Sequence, residues 1–519
     1  MKYPIGIQSF EDLRQRGCVY VDKTALVYNI AQNGKYYFLS RPRRFGKSLL
    51  VSTLEAYFLG KRELFDGLAI ADIEKEWTEY PVLRIDFSGN AYMDKTSLEV
   101  VLNVIVSRWE SLYGADEKEK LLSTRFSGVI DRAVAKTGKQ VVILIDEYDK
   151  PIVDNVDNEE LMEIYRKQLQ GFYSVMKAKD SNIRFGFLTG VTKIGKLSVF
   201  SGLNNLQDLT IDPQYSNICG ISESELRKYF NASVNELAEY NKLSEDDCYA
   251  KLAEMYDGYH FSEYSDGMYN PFSLLNTLSS KRFREYWFET GTPTFLVKVL
   301  RDADYDITQL ENEEADASLL TTIDVAFSNP IPLLYQSGYL TITGYDEMSG
   351  IYSLGFPNLE VKHGFLSFLL SYYASARGAG SLLIRQMNSD LLKGQPANFM
   401  KRMESLFART NYQIQANCEK DFHYAMNLVL NLLGEHIQVN TEWQTSNGRI
   451  DILMQTKDFI YIIEIKINGS ADAALRQIEE KGYARPFARP FATDQRKLFK
   501  IGINFSVEDR CISEWKIEE

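Results

Sequence analysis

The octet Arg41-Pro42-Arg43-Arg44-Phe45-Gly46-Lys47-Ser48 ends in three residues that can do phosphate chemistry. A helix starting after Gly46 would aim free backbone N–H groups at an anion. Lys47 would then reach the β- and γ-phosphates of ATP, and Ser48 would ligate Mg2+. Arg43 and Arg44 are candidates for further phosphate contacts. The pattern G-x-x-x-x-G-K-[ST] asks for glycine at position 41, where this chain has arginine, so the octet alone also reads as a basic surface turn.

A second segment supports the first. Val141–Glu147 (VVILIDE) is an apolar run that ends in two carboxylates, as a buried parallel strand would at its C-terminal edge. Asp146 would hold Mg2+ together with Ser48. Glu147 would polarise the attacking water, a task that needs a base beside the metal. A polar side chain after the next strand, IRFGFLTGV (Ile183–Val191), would sense the γ-phosphate; Thr189, Thr192 and Lys193 are the candidates, with Thr192 preferred.

A third group lies near the C-terminus. On a strand alternate residues share a face, so Glu464 and Lys466 in FIYIIEIKIN project together, away from Tyr461, Ile463 and Ile465. Asp451, thirteen residues before Glu464, can join them and give D-x12-E-x-K. Two carboxylates for Mg2+ and a lysine to orient water or stabilise developing charge are what phosphodiester hydrolysis requires. Asp451 and Glu464 are thus candidate metal ligands as well as catalytic residues. The same triplet also occurs on ordinary exposed strands.

These residues need elements to hold them. KYYFLS (Lys35–Ser40) reads as a buried strand, followed by the octet and an amphipathic helix. PVLRIDFS (Pro81–Ser88) and IRFGFLTGV bring the strands to four. A strand between the P-loop strand and the Asp146 strand is the feature of additional-strand ATPases. Residues 216–300 read as a helical lid. Asp302–Ser318 is acidic and reads as a surface link, and YLTITGY and GIYSLGF are short strands. At the C-terminus a helix over Glu419–Leu433 is followed by HIQVNTEWQT, the turn Ser446-Asn447-Gly448, RIDILMQT, FIYIIEIKIN, the helix ADAALRQIEEKGY and the strand KLFKIGINF. This αβββαβ order is that of restriction-endonuclease-like folds.

YVDKT (Tyr20–Thr24), RPRRFGKS, FDGL (Phe65–Leu68), LIDEYDKP (Leu144–Pro151), GVTKI (Gly190–Ile194), YDGYHF (Tyr256–Phe261) and YNPFSLL (Tyr269–Leu275) resemble the AAA-ATPase-like proteins of bacteria. Those proteins often carry a C-terminal nuclease-like domain of the PD-(D/E)xK type. The resemblance spans nearly the whole chain. It implies that Arg41 is a family habit rather than a decayed glycine, and that Gln477 and Tyr483 match the nuclease-like family's Q-x5-Y extension.

The chain has 519 residues, too many for one core, which stops growing near ~250–300 residues. The expected fold class is α/β, with a P-loop ATPase domain of parallel sheet over 1–215. A helical lid over 216–300, a mixed linker unit over 301–405 and a PD-(D/E)xK nuclease-like domain over 406–519 follow. Five scattered cysteines without a CxxC pair argue against a zinc or disulfide framework. With no signal peptide and no apolar run near ~20 residues, the expected setting is the cytoplasm, without membrane contact. A net charge of −13 repels nucleic acid over the whole surface, so contact needs a local patch. Residues 481–500 offer Lys481, Arg485, Arg489, Arg496, Lys497 and Lys500 against Asp494. The expected function is an ATPase coupled to a Mg2+-dependent nuclease acting on nucleic acid, DNA ahead of RNA, with self-association into a homo-oligomer open. The alternative is a non-catalytic, ATP-driven switch whose C-terminal domain only binds nucleic acid or a protein.

Overall fold

β1 (Tyr36–Ser40), β3 (Val141–Asp146) and all but one residue of β4 (Ile183–Gly190) are buried, as strands covered by helices on both faces must be. β2 (Val82–Asp86) alternates half-buried with buried residues, which suits an edge. With β5 (Gln207–Asp208) they form a parallel sheet in the order β2-β3-β4-β1-β5. The strand between the P-loop strand β1 and the carboxylate-bearing β3 is therefore β4, which follows both in sequence. β2, which precedes β3 in sequence, lies at the far edge. β5 brings the sheet to five strands, and two residues give no readable period. In this computed structural model the described residues are 1–519 without 157, 194–204, 289–293, 312, 322–328, 374–379, 408–417, 435–436, 446–447, 488–494 and 510, and the side chains of 294–295, 321, 380–381, 418–421 and 445. The chain divides into two compact units, Met1–Lys362 and His363–Glu519.

Within the first unit, three helices share one apolar core: Glu223–Asn241, Glu245–Tyr256 and Pro271–Ser280. A short antiparallel pair, β6 (Ile221–Ser222) and β7 (Met268–Tyr269), leads into the first and third of them, and the helix ends are set by local chemistry. Ser222 and Glu225 form a capping box, Ser244 caps the second helix, and Asn270 caps the third ahead of Pro271. Glu225 also takes both hydrogen bonds of the Lys23 ammonium, at 2.6 and 2.7 Å, which gives the YVDKT segment its place. The acidic stretch read as a surface link contains a strand, β8 (Glu313–Asp316). It pairs with β10 (Ile351–Gly355), which pairs in turn with β9 (Thr341–Asp346). Its four residues are mostly acidic, so neither hydropathy nor alternation marks them.

In the second unit β11 (Gln438–Thr445), β12 (Gly448–Gln455), β13 (Phe459–Ile467), β14 (Lys497–Ser506) and β15 (Cys511–Glu518) form a sheet in that order. β13 and β14 run parallel, joined through the helix Ala471–Glu480, and the other pairs are antiparallel. The order is αβββαββ, one strand more than αβββαβ. β15 closes the edge of β14, and its polar sequence gave no strand signal. Thr445 pairs with Gly448, so β11 and β12 make the antiparallel hairpin expected there.

Candidate functional site

Gly46 has φ +92° and is the residue before the helix Lys47–Phe58, so the chain turns sharply and points the first N–H groups of that helix outward. Arg44 also sits at φ +68°. Beside this loop lies a cleft of about 400 Å3, lined among others by Arg43, Arg44, Lys47, Ser48, Glu147 and Asp149. Lys47 is buried, and its ammonium donates to the carbonyl oxygens of Arg41 and Pro42 at 2.8 and 3.0 Å. Burial lowers its pKa, against the opposing pull of Glu147, Asp146 and Asp149. Asp146 is 1 % exposed; burial raises its pKa, opposed by the nearby Ser48 hydroxyl, and its Oδ1 has no hydrogen-bond partner among the described residues. Glu147, at φ +53°, is also raised by burial, with Lys47 as the largest opposing influence.

Arg41, where glycine was expected, is 1 % exposed. Its guanidinium donates to the carbonyls of Ser40, Thr210 and Tyr215 at 3.0, 2.7 and 3.1 Å, and lies 4.0 Å over the Phe261 ring. Burial brings its pKa down to about 10. Phe45 packs edge-on against Tyr259 and Phe261. The YDGYHF corner is thus a brace under the P-loop. Gly258 at φ +90° lets that corner turn, because a Cβ there would lie 2.0 Å from the Pro357 carbonyl oxygen. A third support is Trp287, whose indole N–H donates to the Arg43 carbonyl at 3.2 Å while its backbone N–H donates to Glu360 at 2.7 Å.

In the second unit Asp451 Oδ2 accepts the backbone N–H of Ile465 at 2.8 Å, so β12 presents its carboxylate to the Glu464–Lys466 stretch. Glu464 is 1 % exposed; Oε1 accepts from Lys466 at 3.3 Å and from the Gln477 amide, while Oε2 has no hydrogen-bond partner among the described residues. Burial, with the Asp451 charge second, pushes Glu464 up to about 7. The Gln477 carbonyl accepts Lys466 at 2.5 Å. Asp451, Glu464, Lys466 and Gln477 are therefore one cluster. Tyr483 is elsewhere, buried in the core beneath the helix Ala471–Glu480 and against Gly448.

Residues 4–200 match the family described as "Predicted AAA-ATPase", and residues 417–515 match the "PD-(D/E)XK nuclease superfamily". A protein of Azotobacter chroococcum mcd 1, described as an uncharacterized protein in the vnfD 5' region, is 35% identical over 526 residues, covering 100% of this chain and 99% of that protein. The chain belongs to the AAA-ATPase-like family with a C-terminal PD-(D/E)XK nuclease-superfamily domain.

In this AAA-ATPase-like chain the residues singled out for ATP fall into two groups. Arg43, Arg44, Gly46, Lys47, Ser48 and Glu147 line one cleft, and Asp146 precedes Glu147 at the buried end of β3. Thr192 is not turned into it: the residue is 1 % exposed, and its hydroxyl donates to Asp149 at 2.8 Å. Lys193 is buried and pairs with Asp208 at 2.8 Å. Thr189 is buried at the end of β4, and its hydroxyl has no hydrogen-bond partner among the described residues. Asp149 was missed, although a carboxylate three residues beyond Asp146 in LIDEYDKP was a visible signal. In the basic stretch Lys500 pairs with Glu479, Lys497 with Glu519 at 2.7 Å, and Arg496 donates to the Thr456 carbonyl and the Gln455 side chain. Three of the five described cations of this stretch are thus engaged within the unit; Arg489 and Asp494 lie outside the described residues, as does the side chain of Glu419, a further candidate carboxylate on the helix before β11. Among the described residues no group of three or more His, Cys, Asp or Glu side chains could hold a metal, and no helix is long and apolar enough to cross a membrane.

Proposed function

We propose that the first unit hydrolyses ATP in the cleft at Lys47, and that the second unit is a Mg2+-dependent nuclease acting on DNA ahead of RNA in the cytoplasm, with the ATP state governing its access to substrate. What supports this reading is that Lys47 and Ser48, at the start of the helix after β1, and Glu147, in the turn after β3, line one cleft beside the αL glycine, with Asp146 at the end of β3.

Asp146 and Ser48 fit Mg2+, since a buried carboxylate oxygen without a donor is a cation's ligand in waiting. Bound there, Mg2+ would neutralise charge on the phosphates. Lys47 would exchange the carbonyls of Arg41 and Pro42 for phosphate oxygens, and Arg43 and Arg44 would add charge at the cleft mouth. Glu147, made more basic by burial, would take the proton of the attacking water. Leu49, Pro271 and Leu275 would give the adenine an apolar seat, and residues 216–300 would be the lid.

In the second unit Asp451 and Glu464 fit a cation in the same sense, because Glu464 Oε2 is buried without a partner. Lys466 would hold the attacking water or the developing negative charge, oriented by Gln477.

The test is a single preparation assayed for ATP turnover and for Mg2+-dependent cleavage of plasmid and single strands, beside Lys47→Ala and Asp451→Ala. Loss of nucleotide binding in the first variant and of cleavage in the second is expected. Binding unaffected by Lys47→Ala overturns the ATP site, and cleavage surviving Asp451→Ala overturns the nuclease.

A further inference from the structure

Asp149 stands at the N-cap position of the short helix Lys150–Val153, yet its side chain caps nothing there. An aspartate in that place ordinarily accepts the first-turn N–H groups of its own helix. Here the carboxylate reaches across to the chain leaving β4. Oδ2 accepts Thr192 N–H at 2.6 Å, the Thr192 hydroxyl at 2.8 Å and Val191 N–H at 3.1 Å. Asp149 is 2 % exposed, and a buried carboxylate earns its place only with such donors.

Its neighbour holds the same segment. Tyr148 N–H donates to the Thr189 carbonyl at 3.0 Å, and its hydroxyl donates to the Thr192 carbonyl at 3.0 Å. Gly190 leaves no space between them: a Cβ would come within 2.5 Å of Asp149 Oδ1 and 2.7 Å of the Tyr148 ring. From the other side Ser40 Oγ donates to the Val191 carbonyl at 2.5 Å, and Arg41 N–H donates to the Gly190 carbonyl at 3.3 Å. Residues 189–192 are thus clamped between the root of the P-loop and the turn that carries Glu147. That turn places Glu147 in the left-handed region, which a non-glycine residue keeps only when its surroundings over-determine it.

We propose that Asp149 is a positioning residue for ATP hydrolysis. Its carboxylate latches Val191 and Thr192 to the Glu147 turn, holding the glutamate toward the cleft and in register with the P-loop. The inference rests on the ATPase reading above and assigns Thr192 to the latch rather than to the γ-phosphate.

The experiment compares full-length wild type with Asp149→Asn and Thr192→Val. It measures ATP turnover, ATP affinity and amide hydrogen exchange in the peptide covering 189–192. Asp149→Asn keeps the shape but sets an amide N–H2 against donors, and Thr192→Val removes one hydroxyl donor as the milder change should the first variant fail to fold. Turnover should fall about tenfold or more in Asp149→Asn and about threefold in Thr192→Val, with affinity within about threefold of wild type and faster exchange at 189–192. A merely structural role would lower affinity and turnover together, and that result overturns the proposal. Unchanged exchange, or unchanged turnover despite faster exchange, overturns it as well. If wild type turns over no ATP, the ATPase reading fails by itself; the exchange arm then decides the latch, and slow exchange retained in Asp149→Asn overturns it.

Discussion

The Arg41 guanidinium lies 4.0 Å over the ring of Phe261, so the position where a P-loop has its first glycine is here the anchor of the loop. Arg41→Gly, which restores the common pattern, should destabilise the first unit. It strands the carbonyls of Ser40, Thr210 and Tyr215 and removes a cation–π contact, a loss of at least ~3 kcal/mol. Urea denaturation checks this; a variant as stable as wild type would remove the anchoring role.

Gly258→Ala tests the brace. The residue has φ +90°, and its Cβ would overlap the Pro357 carbonyl. We expect a cost above ~2 kcal/mol, read as a lower denaturation midpoint, with weaker ATP binding because Tyr259 and Phe261 shift under Phe45.

Glu360 gives a pH dependence. Burial pushes its carboxyl up to about 7, well above the value in an unfolded chain. The folded state therefore holds the proton that the unfolded state has released. The stability this proton confers is complete below about pH 4.5 and is lost as pH rises through about 7. Glu360→Gln keeps an acceptor for Trp287 N–H and carries no charge. It should be more stable than wild type at pH 8, by an amount on the order of 2–3 kcal/mol, and equal to it near pH 4. Denaturation followed by tryptophan fluorescence at both pH values measures the difference.

Gln477→Ala removes the amide that joins Lys466 to Glu464. Cleavage of plasmid at saturating Mg2+ should fall about tenfold without loss of the folded domain. A rate equal to wild type would show that the cluster does not depend on this bridge.

The strands carrying the sites were legible because they are either wholly apolar, as Val141–Ile145 is, or divide cleanly by face, as Phe459–Ile467 does. The convergence of Asp451 with Glu464 and Lys466 followed from period two, and β12 and β13 pair accordingly. β8 and β15 were not legible, since their acidic and mixed residues give no period and exist as strands only through a partner. The role of Arg41 was likewise hidden, because its acceptors lie about 170 residues away in sequence at Thr210 and Tyr215. The bond from the Thr192 hydroxyl to Asp149 was hidden as well, because nothing local in sequence reveals it.

The proposed hydrolytic ATP site stands on Glu147 as its base. The most direct measurement is ATP turnover by Glu147→Gln beside wild type, with nucleotide affinity taken on the same samples. Turnover should be lower by about 100-fold or more, with affinity within about threefold. Turnover near that of wild type, or a variant that no longer binds ATP, would contradict it.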